Sequence, residues 1–98
     1  MKTIYKYPLQ VADWQEVLLP VGAKVLCVQA QRQAPPMEEI PCLWALVDAE
    51  EKDKLTHVIH TRGTGHIADG MQDHIYLGTY QLHQGALIFH VFHEEPWV

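Results

Sequence analysis

The sequence predicts a mainly β fold, a small antiparallel β-sandwich or barrel of about seven short strands with at most a short helix. Segments rich in β-branched and aromatic residues recur at short intervals along the chain. Proline, glycine or aspartate bounds each segment, which is the punctuation typical of strands and turns. The length of 98 residues fits one β-rich domain over residues 1–98.

Proline and glycine residues mark the ends of the first three predicted strands. TIYKY (3–7) ends before a proline, and QEVLL (15–19) also stops at one, which excludes a helix of more than two turns over 13–20. AKVLCVQA (23–30) follows PVGA (20–23), where glycine suits the positive φ of a hairpin turn. Three prolines then predict an extended connector over 31–41.

The remaining four strands complete the predicted fold. CLWALV (42–47) is a continuous apolar run, whereas KLTHVIHT (54–61) alternates and so presents two different faces. IYLGTYQL (75–82) and ALIFHVFH (86–93) are joined by HQGA (83–86), a second hairpin signal. Both faces of the last segment are apolar, which predicts a central strand or one covered by another subunit.

Composition excludes several classes of partner. The chain has 12 acidic and 7 basic residues, a formal charge of −5, and no cluster of Lys or Arg. We therefore expect no polymeric nucleic acid and no anionic membrane as a partner. No apolar run approaches a membrane span and the start lacks a secretory signal, so we expect a cytoplasmic protein. Cys27 and Cys42 lie in apolar segments and are predicted to be reduced core thiols.

Histidine is abundant, with seven residues, but its spacing does not predict a metal site. The two H-x-x-H pairs, at 57/60 and 90/93, lie on predicted strands, where an odd separation points the rings to opposite faces. A zinc site assembled across strands would draw on His60, His66, His90 and Asp69. Since nothing in the spacing demands that arrangement, we expect neither a metal nor another cofactor.

The sequence offers no positive case for an enzyme. It contains no nucleophile motif, and its paired glutamates are adjacent residues that splay apart on a surface. A nucleotide hydrolase stays open as a lesser alternative, since His66 with His60 or Asp69 supplies an acid and a base. We expect a non-catalytic protein.

The segment TRGTGHIADGMQD (61–73) is the strongest candidate for a binding loop. It is longer than an ordinary connection. In it, Gly63, Thr64 and Gly65 can form a concave nest of amides for an anion, while Arg62 offers a bidentate fork and His66 a further donor. The alternative is that the glycines only permit a bulge or turn.

Aromatic residues with polar tips are the second candidate feature. Tyr5 and Tyr7 share one face of the first strand and are predicted to be surface rings that stack on a base. Trp44 is predicted to belong to the core.

Six segments follow one another through nearly the whole chain: MKTIYKYPL (1–9), LPVGAKVLCVQAQ (19–31), LWALVD (43–48), GTGH (63–66), YLGTYQ (76–81) and GALIFHVF (85–92). Together they resemble a family of short, uncharacterised proteins encoded by bacteriophages and their hosts. In size and context the chain is similar to the phage sponge proteins that sequester cyclic nucleotide signals of bacterial defence. This resemblance implies a homo-oligomer in the host cytoplasm.

The leading hypothesis is therefore a non-enzymatic binder of a small anionic nucleotide ligand, with a cyclic oligonucleotide as the expected ligand. Its expected ligand-binding residues are Tyr5, Tyr7, Arg62, Gly63, Thr64, Gly65 and His66. The alternative is a structural or interaction protein, a virion accessory or an inhibitor of a host protein, anchored by rings such as Trp97.

Overall fold

Seven strands and one 3-10 turn make up the chain in a computed structural model that describes residues 1–32 and 39–96. The strands are β1 (Lys2–Pro8), β2 (Trp14–Pro20), β3 (Lys24–Gln31), β4 (Ile40–Asp48), β5 (Lys54–Gly63), β6 (Ile75–Leu82) and β7 (Leu87–Glu94). The 3-10 turn covers Met71–Asp73. Every predicted strand is confirmed, and 14–20 forms a strand rather than a helix.

The strands form two antiparallel sheets. The three-stranded sheet has the order β1-β4-β3 and the four-stranded sheet the order β2-β5-β7-β6. The β-sandwich prediction is therefore confirmed, and β7 lies between β5 and β6, as its two apolar faces predicted. Val28 of β3 packs close to Gly78 of β6, where an added Cβ would lie 3.7 Å from the valine methyl group.

The two glycine turns have different outcomes. At 83–86, the Ala86 amide donates to the His83 carbonyl at 3.1 Å, and the turn joins β6 to β7 as a hairpin, as predicted. At 20–23, the Ala23 amide donates to the Pro20 carbonyl at 3.0 Å, but β2 and β3 belong to different sheets. The hairpin prediction was wrong there, because β3 pairs with β4 and the turn carries the chain between the sheets.

The core lies between the two sheets and takes residues from both. Its fully buried side chains include Leu19, Leu43, Ala45, Val47, Ile59 and Val91. On β5, Ile59 and Thr61 face inward, whereas His60 and Arg62 face outward, as alternation along a strand requires. The outward face of the four-stranded sheet, called the outer face below, is thereby left open to carry polar side chains.

A β-bulge explains one wrong prediction about the core. The register of β3 against β4 shifts between Val25 and Cys27, so the residues after Leu26 change faces. Cys27 is consequently exposed and pairs with Trp44, which is only partly buried, so neither joins the core. Cys42 is buried as predicted, and both thiols are free.

The two predicted connectors are shorter than expected. Residues 61–63 belong to β5, so the loop begins at Thr64. The connector over 31–41 is bounded by Gln31 in β3 and Ile40 in β4, and its residues 33–38 lie outside the described residues, as does Trp97. Among the residues that the structure describes, no helix has the length and apolar character needed to cross a lipid bilayer.

Candidate functional site

The GTGH segment forms a tight turn at the end of β5. The His66 amide donates to the Gly63 carbonyl at 3.1 Å, and Gly65 has a φ of 84° at the third position of the turn. A type II turn requires positive φ at that position. The His66 ring lies over Gly63, where an added Cβ would meet a ring carbon at 2.9 Å. The turn conformation therefore requires glycine at position 65, whereas Gly63 is the position over which the His66 ring packs.

Alanine substitutions separate these two roles. We expect Gly65→Ala to lower the free energy of unfolding by about 1–3 kcal/mol, because a side chain at this φ is strained. Gly63→Ala is expected to change it by less than about 0.5 kcal/mol, since the exposed His66 ring can move aside. Urea unfolding curves measure both values, and equal losses would contradict the assignment of the turn.

Arg62 is tied to the backbone beside this turn. Its Nη1 donates to the Asp13 carbonyl at 2.7 Å and to the Thr61 carbonyl at 2.9 Å. A guanidinium has five N–H donors, and in the described part of the chain Nε and Nη2 make no hydrogen bond. Arg62 therefore both holds the entry to β2 and keeps donors for a ligand.

A row of polar side chains crosses the outer face next to Arg62. Arg62 of β5 pairs with His90 of β7, which in turn pairs with Thr79 of β6. Thr64 Oγ1 lies 2.6 Å from His90 Nε2, and His90 Nδ1 lies 3.1 Å from Thr79 Oγ1. The Tyr76 hydroxyl hydrogen-bonds to Thr79 and extends the chain.

A row of rings lies beside the polar row. The register across the four strands aligns Trp14, His60, Phe92 and Tyr76. The Tyr76 and Phe92 rings meet edge to face at 5.3 Å, and Trp14 and Tyr76 are each more than half exposed. Exposed rings of this kind are stacking surfaces for bases.

The structure does not bring the two predicted tyrosines to the loop. Tyr5 and Tyr7 lie on β1, an edge strand of the other sheet, opposite Ala45 and Leu43 of β4. Tyr7 packs against the core, and burial raises its pKa. The exposed rings on the outer face are instead Tyr76 and Trp14. Sequence reasoning missed them because cross-strand register decides which rings meet.

A carboxylate contacts two stacked imidazoles next to the ring row on the same face. Glu94 Oε1 is 2.8 Å from His60 Nε2 and 3.5 Å from His74 Nε2, and the two rings stack with centroids 4.9 Å apart. The hydrogen bond from His60 lowers the pKa of Glu94. His60 Nδ1 is buried without a hydrogen-bond partner.

Neither His66 nor His90 belongs to this cluster. The His66 ring lies over Gly63, and His90 is engaged by two threonines. The zinc set considered from the sequence is therefore not the one assembled here. No hydrogen bond joins His66 to His60 or to Asp69 among the described residues, and His60 contacts Glu94 instead.

A second pair of histidines lies on the inner side of the same sheet. His57 Nδ1 is 2.8 Å from His93 Nε2, both side chains are buried, and burial lowers the pKa of each. They line a cleft of about 570 Å³ between the sheets, together with apolar residues of β3 and β6. In neutral form one ring must donate and the other accept.

Comparison with known proteins gives one match. The profile of a family described as a domain of unknown function (DUF7352) matches residues 1–97. Searches of curated proteins and of solved structures find no match.

Proposed function

The chain belongs to this family of unknown function, DUF7352, and we propose that it is a non-enzymatic protein that binds a small phosphorylated ligand on its outer face. A cyclic oligonucleotide is the leading candidate for the ligand. The observation that supports the proposal is the polar row beside the ring row, at the end of the sheet that carries the GTGH turn.

The polar row has the chemistry of a phosphate site. Arg62 supplies positive charge and free N–H donors, while Thr64, His90 and Thr79 supply hydroxyl and imidazole groups. The amides of Thr64 and Gly65 make no hydrogen bond among the described residues, so they are free to donate to an anion. These donors lie near one another in the register of β5, β7 and β6, although the whole chain carries a formal charge of −5.

The ring row has the chemistry of a base site. Successive residues on one face of a strand are two positions apart, about 7 Å, so His60 and Phe92 are direct neighbours of Arg62 and His90. A base stacked on Tyr76 or Trp14 would leave its phosphate within reach of the polar row. Base–aromatic stacking contributes about 1–3 kcal/mol per base.

The first experiment is a thermal-shift panel of linear and cyclic nucleotides, followed by recovery of bound ligand for mass spectrometry. A ligand that binds only the folded chain raises the melting temperature by mass action. A nucleotide recovered intact supports the proposal, whereas a cleaved product would indicate an enzyme. No shift with any nucleotide would overturn the proposal.

Three variants locate the site. We expect His90→Leu, Thr64→Val and Arg62→Ala each to weaken nucleotide binding about ten-fold or more, because each removes a hydrogen-bond donor to phosphate. The control is His83→Asn, at an exposed hairpin position with a φ of 53° that asparagine tolerates. Unfolding curves are needed for Arg62→Ala, since Nη1 also holds the Asp13 carbonyl.

A second surface bears on the expected homo-oligomer. The outward face of the three-stranded sheet exposes Ile4 and Leu26 beside the half-buried Trp44, around a shallow groove of about 320 Å³. We propose that a second copy of the chain covers this face and forms the homo-oligomer. Light scattering should then give a dimer mass that Leu26→Glu reduces to a monomer, and a monomeric parent would contradict it.

A further inference from the structure

The cluster of His60, His74 and Glu94 carries an inference that does not depend on nucleotide binding. Its members come from β5, from the residue after the 3-10 turn and from the end of β7, so three separate segments converge there. One atom from each residue lies within 4.8 Å of the other two. No other group of three such side chains occurs among residues 1–32 and 39–96.

We propose that His60, His74 and Glu94 bind a divalent first-row transition metal ion, with Zn²⁺ as the expected ion. Two imidazole nitrogens and one carboxylate oxygen form a donor set that suits zinc, whereas Mg²⁺ and Ca²⁺ require more oxygen ligands. Three protein ligands leave one position of a tetrahedral ion for water or an external ligand.

Two of the three ligand separations fit an ion after a small adjustment, and the third, between the two imidazole ligand atoms, lies within 4.8 Å. Zinc lies about 2.0–2.2 Å from such ligands, which places tetrahedral ligand atoms about 3.3–3.5 Å apart. The His74–Glu94 distance of 3.5 Å meets this value, and the His60–Glu94 distance of 2.8 Å must open slightly. The stacked imidazoles must also tilt, so that both Nε2 lone pairs point to one ion.

Access and charge also favour an ion. His74 and Glu94 line a surface cleft of about 470 Å³ together with Asp73 and Glu95, so a cation approaches past two further carboxylates. His60 and His74 bind metal as neutral rings. Glu94 is then the only anionic ligand, so the positive charge of the ion is only partly neutralised by its ligands.

His60 Nδ1 limits the strength of the site. When Nε2 holds a metal, the ring proton sits on Nδ1, and this atom is buried without an acceptor. Metal-binding histidines normally donate that proton to an outer partner. Loss of the partner typically weakens metal affinity about 10–100-fold. We therefore expect an exchangeable ion rather than one retained through purification.

The test is a titration of the untagged, chelator-treated chain with ZnCl2, followed by calorimetry and by melting temperature. We expect one ion per chain and a raised melting temperature, with no response to MgCl2. CoCl2 should give the visible absorption of a tetrahedral site. The absence of Zn²⁺ binding, or a Zn²⁺ effect that MgCl2 reproduces, would overturn the proposal.

Variants assign the ligands. His74→Gln and Glu94→Gln are expected to weaken Zn²⁺ binding about ten-fold or more and to abolish the Co²⁺ spectrum. His83→Asn, at an exposed hairpin position outside the cluster, should bind as the parent does. Binding that survives both substitutions, or that His83→Asn removes, would overturn the assignment. Circular dichroism confirms that each variant is folded, and nucleotide binding is scored separately.

Discussion

Replacement of Leu43 by alanine is expected to lower the free energy of unfolding by about 2–5 kcal/mol. Leu43 is fully buried on β4, the central strand of the three-stranded sheet, and faces the inner side of the other sheet. The loss combines the transfer of the missing methyl groups with the cavity that they leave. For a chain of this size, that is a large share of the total stability.

Leu18→Ala is the matched control. Leu18 is 58% exposed on β2, an edge strand, so its truncation is expected to change the free energy of unfolding by less than about 0.5 kcal/mol. Urea unfolding at one temperature compares the two variants with the parent. Similar losses for Leu43→Ala and Leu18→Ala would show that the two sheets do not pack as described.

Removal of one partner of the buried histidine pair is expected to cost about 1–3 kcal/mol. In His57→Leu, His93 Nε2 loses the hydrogen bond at 2.8 Å, and a buried polar atom without a partner carries its full desolvation cost. His93→Leu has the converse effect on His57. The double variant removes both polar groups, so its loss should be smaller than the sum of the two single losses.

This double-mutant cycle is measured by urea unfolding with a chelator present. Additive losses would contradict a direct hydrogen bond between the two rings. Leucine is close to histidine in size, so the single variants test the polar contact more than the packing. The apolar residues that line the same cleft are unchanged in all three variants.

The same pair predicts how stability depends on pH. Burial lowers the pKa of His57, while the charge of nearby Glu95 opposes that shift. The unfolded chain, with a histidine pKa near 6.5, therefore binds protons more readily than the folded chain as pH falls. The pair therefore makes its full contribution to the free energy of unfolding above about pH 6.5. That contribution is lost as the pH falls below this value.

We expect the parent to lose more stability than the double variant between about pH 7.5 and pH 5.5. Unfolding free energies at the two pH values measure this difference. The other five histidines, and Lys24 and Glu95 at the cleft, are present in both proteins, so their effects cancel. An equal loss in both proteins would contradict a neutral buried pair.

The local features of the outer face could be read from the sequence, but the assembled face could not. Turn chemistry and a long connection are local signals, and they singled out the segment Arg62, Gly63, Thr64, Gly65 and His66. His90, Thr79 and Tyr76 join them only through the register of β5, β7 and β6. That register is set by which faces are buried, a property of the whole sheet.

The sequence by itself determined the seven strands, the HQGA hairpin and the two alternating faces of β5, because β propensity, turn residues and alternation act over a few residues. Only the tertiary structure decided that PVGA joins two sheets, that a bulge exposes Cys27 and that His57 meets His93. Those outcomes depend on contacts between residues distant in the chain. Such contacts form only when the two sheets bury a common core, and no short segment encodes them.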